Sequence, residues 1–420
     1  RLTASLRSSL RSCLARTRTA MVSTEKSKAA QSQRSQSQSQ TRGDSCCSPR
    51  SQASSEAASS TCPSQYRSTS SVTCSSESDY SSANFDDNFE LTGKILGAGG
   101  SGKVYQAVCR RTGKAVAVKS FHLRRMSPKQ RIGLLKEIET MSKVSHPSIV
   151  RLQGLFESDD KVHLVLDHHR GGDIFNRLRT IGPMGETSPA RYIAQVLGAL
   201  AYLHRAGIVH RDIKPENVMF EDRVGAQVKL IDFGLAAFFE QNVPMKQVCG
   251  TLQYVAPEVI ARKPYDEKAD IWSCGSLLYT MMTGKVLYTG NHATVTKKNK
   301  RGAVEYSSVF RRLSHQAQDF VRRLLQPDPS RRPSALEALR DPWLRKLAGD
   351  EVDAALNHLE QMDQDLTEVV AVPPSLREKV AVNSSNYMLV ALSHFSTDHL
   401  WKSLAVAAEN FKQNLFSNFL

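Results

Sequence analysis

Polar and apolar positions divide the 420-residue chain into three stretches. Residues 1–84 are dominated by Ser, Gln and Arg, with QSQRSQSQSQ the extreme, and hold few large apolar side chains. Such a segment cannot bury enough surface to offset its ordering entropy, so a disordered tail is expected. Apolar residues recur from FDDNFELTGKIL to about DPWLRKL, and 85–347 reads as the globular domain. Its first part is strand-rich. KVYQAVCRRTGKAVAVK is a β-branched stretch, a turn at Thr112-Gly113 and then AVAV, which predicts a hairpin. Period two places Ala117 and Lys119 on one face. The stretch RIGLLKEIETMSKVSHPSIVRL reads as a helix ended by His146-Pro147. In ARYIAQVLGALAYLHRAG, helical spacing puts Ile193, Val196, Leu197, Leu200, Leu203 and His204 on one face. The pattern predicts an α+β chain with a small β-rich lobe, a larger helical lobe and a helical C-terminal extension over 348–420.

Charge changes this picture little. Lys and Arg number 56 against 41 acids, a net +15, which suits an acidic partner, nucleic acid or an anionic membrane. Much of the excess lies in the tail, where Arg1, Arg7, Arg11, Arg16, Arg18, Lys26, Lys28 and Arg34 face the single acid Glu25 before residue 40. No aromatic–basic platform for nucleic acid occurs. Of eight cysteines, five lie in the tail and none shows CxxC or metal-ligand spacing, so a reducing, intracellular and cytoplasmic setting is expected. No apolar run of about 18 residues predicts a membrane span. RLTASLRSSLRSCLARTRTAM has the Arg- and Ser-rich composition of a transit peptide, and an unstructured tail shares that composition.

Chemistry concentrates in four places. GAGGSGKV, Gly97–Val104, fits two phosphate-binding patterns. In the G-x-x-x-x-G-K-[ST] pattern a hydroxyl after Lys103 must hold a metal, and Val104 has none. A strand–turn–strand pattern, G-x-G-x-x-G-x-V, fits the flanking hairpin better. With that flap over them, Ala117 can touch a flat base while Lys119 reaches phosphate oxygens; taken alone, the stretch reads equally as a surface lysine at a strand end. Glu137 is the expected partner of Lys119; Glu139 points about 200° away around the helix. In IVHRDIKPENV, Asp212 is placed to accept a hydroxyl proton, Lys214 to neutralise a phosphoryl group in flight and Asn217 to offer Mg²⁺ an oxygen. Asp232 of IDFGLA, fifteen residues after Asn217, is the second metal ligand. His210 reads as a packing residue of the loop rather than a base.

With VAVK, HRDIKPEN, DFG and APE in this order, residues 90–345 resemble a eukaryotic protein kinase domain of the Ser/Thr type. The resemblance implies a two-lobed protein kinase fold with ATP and Mg²⁺ in the cleft. It implies a nucleotide flap of Leu96, Gly97, Ala98, Gly99, Gly100, Ser101, Gly102, Lys103 and Val104, a gatekeeper Leu166 and a hinge at Asp167–His169. The hinge histidines are expected to face solvent. Asp173 is placed at the ribose and, with Glu216, near basic residues upstream of the acceptor. Glu258 should pair with Arg332, and Asp270 should accept bonds from the catalytic-loop backbone. Lys214 marks Ser and Thr of proteins as acceptors, the reaction of a non-specific serine/threonine protein kinase.

Between DFG and APE no Ser, Thr or Tyr precedes Thr251, and Thr251 resembles a position bonded to Asp212 and Lys214. Control is therefore expected outside this segment, with Glu240 as a fixed charge in it. The segment and ALSHFSTDHLWKSLAVAAENF resemble the calcium-dependent, calmodulin-like group, the latter its autoinhibitory junction. Leu400, Leu404, Ala408, Phe411 and Leu415 form an apolar stripe for an autoinhibitory contact or calmodulin-like partner through 389–416, or for packing on the large lobe. No D-x-[DN]-x-[DN]-G loop occurs, so Ca²⁺ binding by EF-hands is not expected of this chain. GKVLYTGNHATVTKKNKRG departs from the family's P-F-x-G stretch, which bears on the substrate groove. The rival reading is a pseudokinase scaffold that binds nucleotide without transfer; it should lack one of Lys119, Asp212, Asn217 or Asp232, and all are present.

Overall fold

The computed structural model describes residues 71–73, 84–99, 102–158, 160–240 and 243–362. The expected tail lies outside these residues except for Asn84 and the strand β1, Ser71–Thr73. Among the described residues, six strands form one antiparallel sheet in the order β1-β5-β6-β4-β3-β2. The other five are β2 Phe89–Gly99, β3 Gly102–Cys109, β4 Ala115–His122, β5 Leu152–Glu157 and β6 Lys161–Asp167. Period two holds in β4. Val116 and Val118 pack under Phe85, Phe89 and Phe156 on one face, and Ala117 and Lys119 turn to the other.

Helix α1, Pro128–Lys143, crosses that other face. Ser127 caps it, accepting from Gln130 N while Gln130 answers with its own side chain, and Pro128 stands at the first helical position. It stops before His146-Pro147, as the sequence predicts. Leu134, Ile138 and Met141 bury toward the sheet.

The larger lobe is helical. Its centre is α2, Thr187–Arg205, and α3, Lys268–Thr283. The apolar stripe expected on α2 is only part of its buried surface. Ala190, Ala194, Gln195, Gly198, Ala199, Ala201 and Tyr202 are buried too, so the helix is covered on all sides. One cover is α4, Gly349–Met362, which presses Val352, Ala355 and Leu359 onto the lobe. The approach depends on glycine: a Cβ on Gly198 would lie 2.7 Å from the Ala355 Cβ. The remainder of the expected extension, 363–420, lies outside the described residues, and with it the apolar stripe. No described helix is long and apolar enough to cross a membrane.

Two buried carboxylates tie the loops of the cleft to this lobe. Asp270 accepts from the backbone N–H of His210 and of Arg211, both at 2.8 Å, and lies 3.0 Å from His204 Nε2. Burial works to raise its pKa, and the hydrogen bonds from His204 and from the His210 backbone N–H outweigh it, so the carboxyl stays below the ordinary range. Glu258 meets Arg332 through both oxygens, at 2.8 and 3.2 Å, and Arg332 also donates to the carbonyls of Lys268 and Gln326. Both ties fall where the sequence resemblance implies them. The partner it missed is His204, which helical spacing had placed in the apolar stripe.

Two outcomes follow. Gly198→Leu should lower the melting temperature by several degrees and expose 349–362 to protease, since overpacking costs about 1–3 kcal/mol; thermal scans and limited proteolysis check this. Asp270→Asn should cost at least about 2 kcal/mol at neutral pH, because charge-assisted bonds are lost. A carboxyl depressed in the folded state stabilises above its ordinary pKa and stops doing so as pH falls through the depressed value. The native chain should therefore lose its advantage over the variant on acidification, as read by denaturant unfolding at several pH values.

Candidate active site

The glycine stretch is the tip of a hairpin. Gly97 pairs with Val104, Ala98 with Lys103 and Gly99 with Gly102. Gly102 has φ of +115°, a conformation L side chains rarely adopt, so the tip requires glycine there. Gly100 and Ser101 lie outside the described residues. Leu96, Ala98 and Lys103 are exposed. A strand leaves the turn where a G-x-x-x-x-G-K loop would feed a helix, so this is the strand–turn–strand form.

Below the hairpin, Ala117 pairs with Leu166 of β6 and Lys119 with Leu164. Lys119 is only 5% exposed and Glu137 4%. Its ammonium lies 2.5 Å from Glu137 Oε1 and 3.1 Å from Asp232 Oδ1. Burial opposes the charge, and the two carboxylates outweigh it, holding the lysine above its usual value. Asp232 is likewise held low: burial raises it, and Lys119 more than compensates. Glu139 turns away, as its helical position requires, to Lys143 at 3.0 Å.

The chain leaves β6 through Asp167–His169. Asp167 N donates to Arg151 O at 3.2 Å, and its carboxylate accepts from Gln153. The expectation that both hinge histidines face solvent fails for His169, which is 8% exposed. The reason is the path of the next residues. Arg170 N donates to Glu221 O and Gly171 N to Phe220 O, which lays the hinge against the large lobe and covers the ring. Burial pushes its pKa down. Asp173 caps the following helix, Ile174–Ile181: its Oδ1 accepts from Asn176 N at 2.6 Å and Oδ2 from Asn176 Nδ2 at 2.8 Å.

In the loop 210–217 the polar groups converge. Asp212 Oδ1 accepts from the Thr251 hydroxyl at 2.8 Å and from its N–H at 3.1 Å. Asp212 Oδ2 accepts from Lys214 Nζ at 2.6 Å and Asn217 Nδ2 at 3.1 Å. Lys214 also donates to the Thr251 hydroxyl, at 3.1 Å. His210 is fully buried. Its Nδ1 accepts from Asp212 N at 3.3 Å and its Nε2 lies 3.2 Å from Ile231 O, donating as the neutral ring requires. Burial lowers its pKa, and it stays a neutral packing residue. Arg211 and Asp232 both have left-handed backbone, at φ of +67° and +61°. Such strain persists only where surroundings enforce it; here Asp270 grips the Arg211 N–H and Lys119 the Asp232 side chain.

Asn217 and Asp232 flank one small hairpin, Val218–Phe220 with Val228–Leu230, and Ile231 N donates to Asn217 O at 2.9 Å. The Asn217 amide nitrogen is spent on Asp212, which leaves its oxygen outward. Both hydrogen bonds to Asp232 end on Oδ1, which leaves Oδ2. One carboxylate and one amide oxygen are hard donors that fit Mg²⁺, an ion that keeps waters and takes its other ligands from phosphates. Glu216 is exposed on the same loop. Arg211 is a further group that sequence reasoning passed over. It donates to Leu235 O at 2.7 Å and, through Nη1, to Gln247 Oε1 and Tyr265 Oη. Its partners stand 24 to 54 residues away, and no local pattern announces them.

Comparison with known proteins agrees with this geometry. The protein kinase domain model matches residues 91–344. Calcium-dependent protein kinase 4 of Plasmodium berghei is 36% identical over 275 residues, 64% of this chain and 52% of that protein. Serine/threonine-protein kinase RAD53 of Saccharomyces cerevisiae is 35% identical over 273 residues, 61% of this chain and 33% of the relative. Aurora kinase of Dictyostelium discoideum is 35% identical over 265 residues, 62% and 67%. The chain thus spans about a third to two thirds of the length of these relatives. The match takes in more than half of the chain and the whole of the cleft just described, and by it the chain belongs to the protein kinase domain family, in its serine/threonine branch.

Proposed function

We propose that the chain transfers the γ-phosphoryl group of ATP to serine and threonine hydroxyls of proteins. The observation that carries this is the grip on Asp212. Four donors from Lys214, Asn217 and Thr251 fix its carboxylate, beside a lysine that binds two carboxylates across the cleft. Phosphoryl transfer needs little covalent help from the protein and much positioning. Asp212 orients the incoming hydroxyl and takes its proton. The hydroxyl oxygen bonds to the γ-phosphorus as the bond to the bridging oxygen breaks, and ADP leaves with that electron pair. Lys214 meets the charge on the moving phosphoryl group. Lys119, steadied by Glu137, holds the phosphates that stay behind. Asn217 and Asp232 would hold Mg²⁺, which would supply neutralisation of phosphate charge.

The substrate reading is finer. Glu216 is exposed beside the loop and free to meet a basic residue upstream of the acceptor. Asp173 serves less well, because both its oxygens are already engaged at the helix start. Relatives as different in name as a calcium-dependent kinase and an Aurora kinase match at nearly the same identity, so similarity favours the serine/threonine class over any one branch. The C-terminal extension supplies control in this reading, because the activation segment has no phosphorylatable residue before Thr251 and Thr251 is engaged at the site.

Labelled ATP with a Ser-containing peptide bearing upstream Arg tests the activity. The native chain should phosphorylate it, and Asp212→Ala should lower the rate about a hundredfold or more; equal rates, or none from either protein even after 363–420 is removed, would refute the reading. Phosphatase treatment should leave the native rate unchanged, whereas removing 363–420 should raise it. A rate that collapses with loss of a phosphate mapped between DFG and APE would overturn this view of control.

A further inference from the structure

Thr251 binds Asp212, so the backbone that follows it runs directly away from the carboxylate that the proposed reaction uses. Leu252–Val255 has an unusual feature. Each of its four carbonyls is taken by a side chain from beneath. Asn299 Nδ2 donates to Leu252 O at 3.1 Å and to Val255 O at 2.9 Å. Ser276 Oγ donates to Gln253 O at 3.3 Å and Ser273 Oγ to Tyr254 O at 2.9 Å. The serines project from α3. Asn299 comes from α5, His292–Arg301, a helix built from the stretch that departs from the family pattern.

Asn299 is fully buried, and its Oδ1 has no hydrogen-bond partner. A buried amide left half satisfied costs stability, and an apolar residue in its place would instead leave the Leu252 and Val255 carbonyls without their donor. What the residue supplies in return is its two donors. They bridge carbonyls three residues apart, which sets the curvature of the segment between them. Thr251, at the head of that segment, is fixed to Asp212 at the same time. The amide thus relates the surface a peptide lies on to the carboxylate that receives its proton.

We propose that Asn299 is a positioning residue for the protein substrate: by holding the Leu252 and Val255 carbonyls it shapes the platform on which the acceptor peptide lies. It touches no reacting atom. The inference rests on the kinase reading above and extends it to the acceptor side.

Steady-state constants for peptide and for ATP, with melting temperatures, test it in Asn299→Leu, Asn299→Asp and Ser276→Ala. Asn299→Leu, which removes both bonds, should raise the peptide KM about five- to tenfold, with the ATP KM moving less than about twofold. Its melting temperature should fall only by a few degrees, because two carbonyls lose their donor while the unpaired oxygen goes too. Asn299→Asp should raise the peptide KM further, since a carboxylate then faces two carbonyls. Ser276→Ala, which removes only the Gln253 bond, should give a smaller rise and carries the test if Asn299 variants do not fold. A peptide KM unchanged in folded variants, or peptide and ATP constants rising to the same extent, would overturn the proposal. The kinase reading fails separately, through the Asp212→Ala comparison.

Discussion

An ammonium removed from water must be matched by negative charge close at hand, and Lys119 organises the cleft by that requirement. Burial alone would drive off its proton. The structure keeps it charged with Glu137 from α1 and Asp232 from the loop after Val228–Leu230. One ligand belongs to the small lobe and one to the large lobe. The three side chains therefore form correctly only when helix, sheet and loop are placed together. An electrostatic need of one residue becomes a constraint on the relative position of the two lobes.

The same logic runs through the large lobe with different groups. Asp270, Glu258 and Asp212 are all buried carboxylates, and each is satisfied by donors from distant segments. A buried carboxylate with three or four donors fixes all of them in space, because losing any one exposes the full cost of the charge. Asp270 holds the loop 210–217 from below, and Glu258 anchors the end of the activation segment to Arg332. The lobe's apolar helices supply the rigid frame. The carboxylates set where the loops leave it.

How much of this could be read from the sequence follows from the range of the interactions. The hairpin at Gly97–Val104 was legible because turn, alternation and glycine spacing are local. Lys119 and Glu137 were legible because strand and helix periods fix which face each residue takes. The burial of α2 on all sides was not, because Ala, Gly and Gln carry no apolar signal and their cover comes from a helix over 150 residues later. His169 looked like an exposed hinge residue; what covers its ring is the return of the chain against Phe220 and Glu221. Asn299 sat in a stretch visible only as a departure from pattern. Its meaning lies in carbonyls 44 and 47 residues away, and carbonyls leave no mark on a sequence.

Arg211 shows how such long-range ties bear on control. Its guanidinium is partly buried and must find acceptors. A phosphate on the activation segment would be one solution, and the segment has no residue to carry it before Thr251. The acceptors used are a backbone carbonyl, the Gln247 amide oxygen and the Tyr265 hydroxyl, all neutral and all present in the unmodified chain. Tyr265 in turn donates to Gln247 O at 2.6 Å, so the segment closes on itself around the arginine. Neutral acceptors suffice because the group keeps some contact with water and the desolvation penalty is partial. With Thr251 bound to Asp212 and the carbonyls of 252–255 held from below, the described segment is secured at both ends by bonds that need no modification.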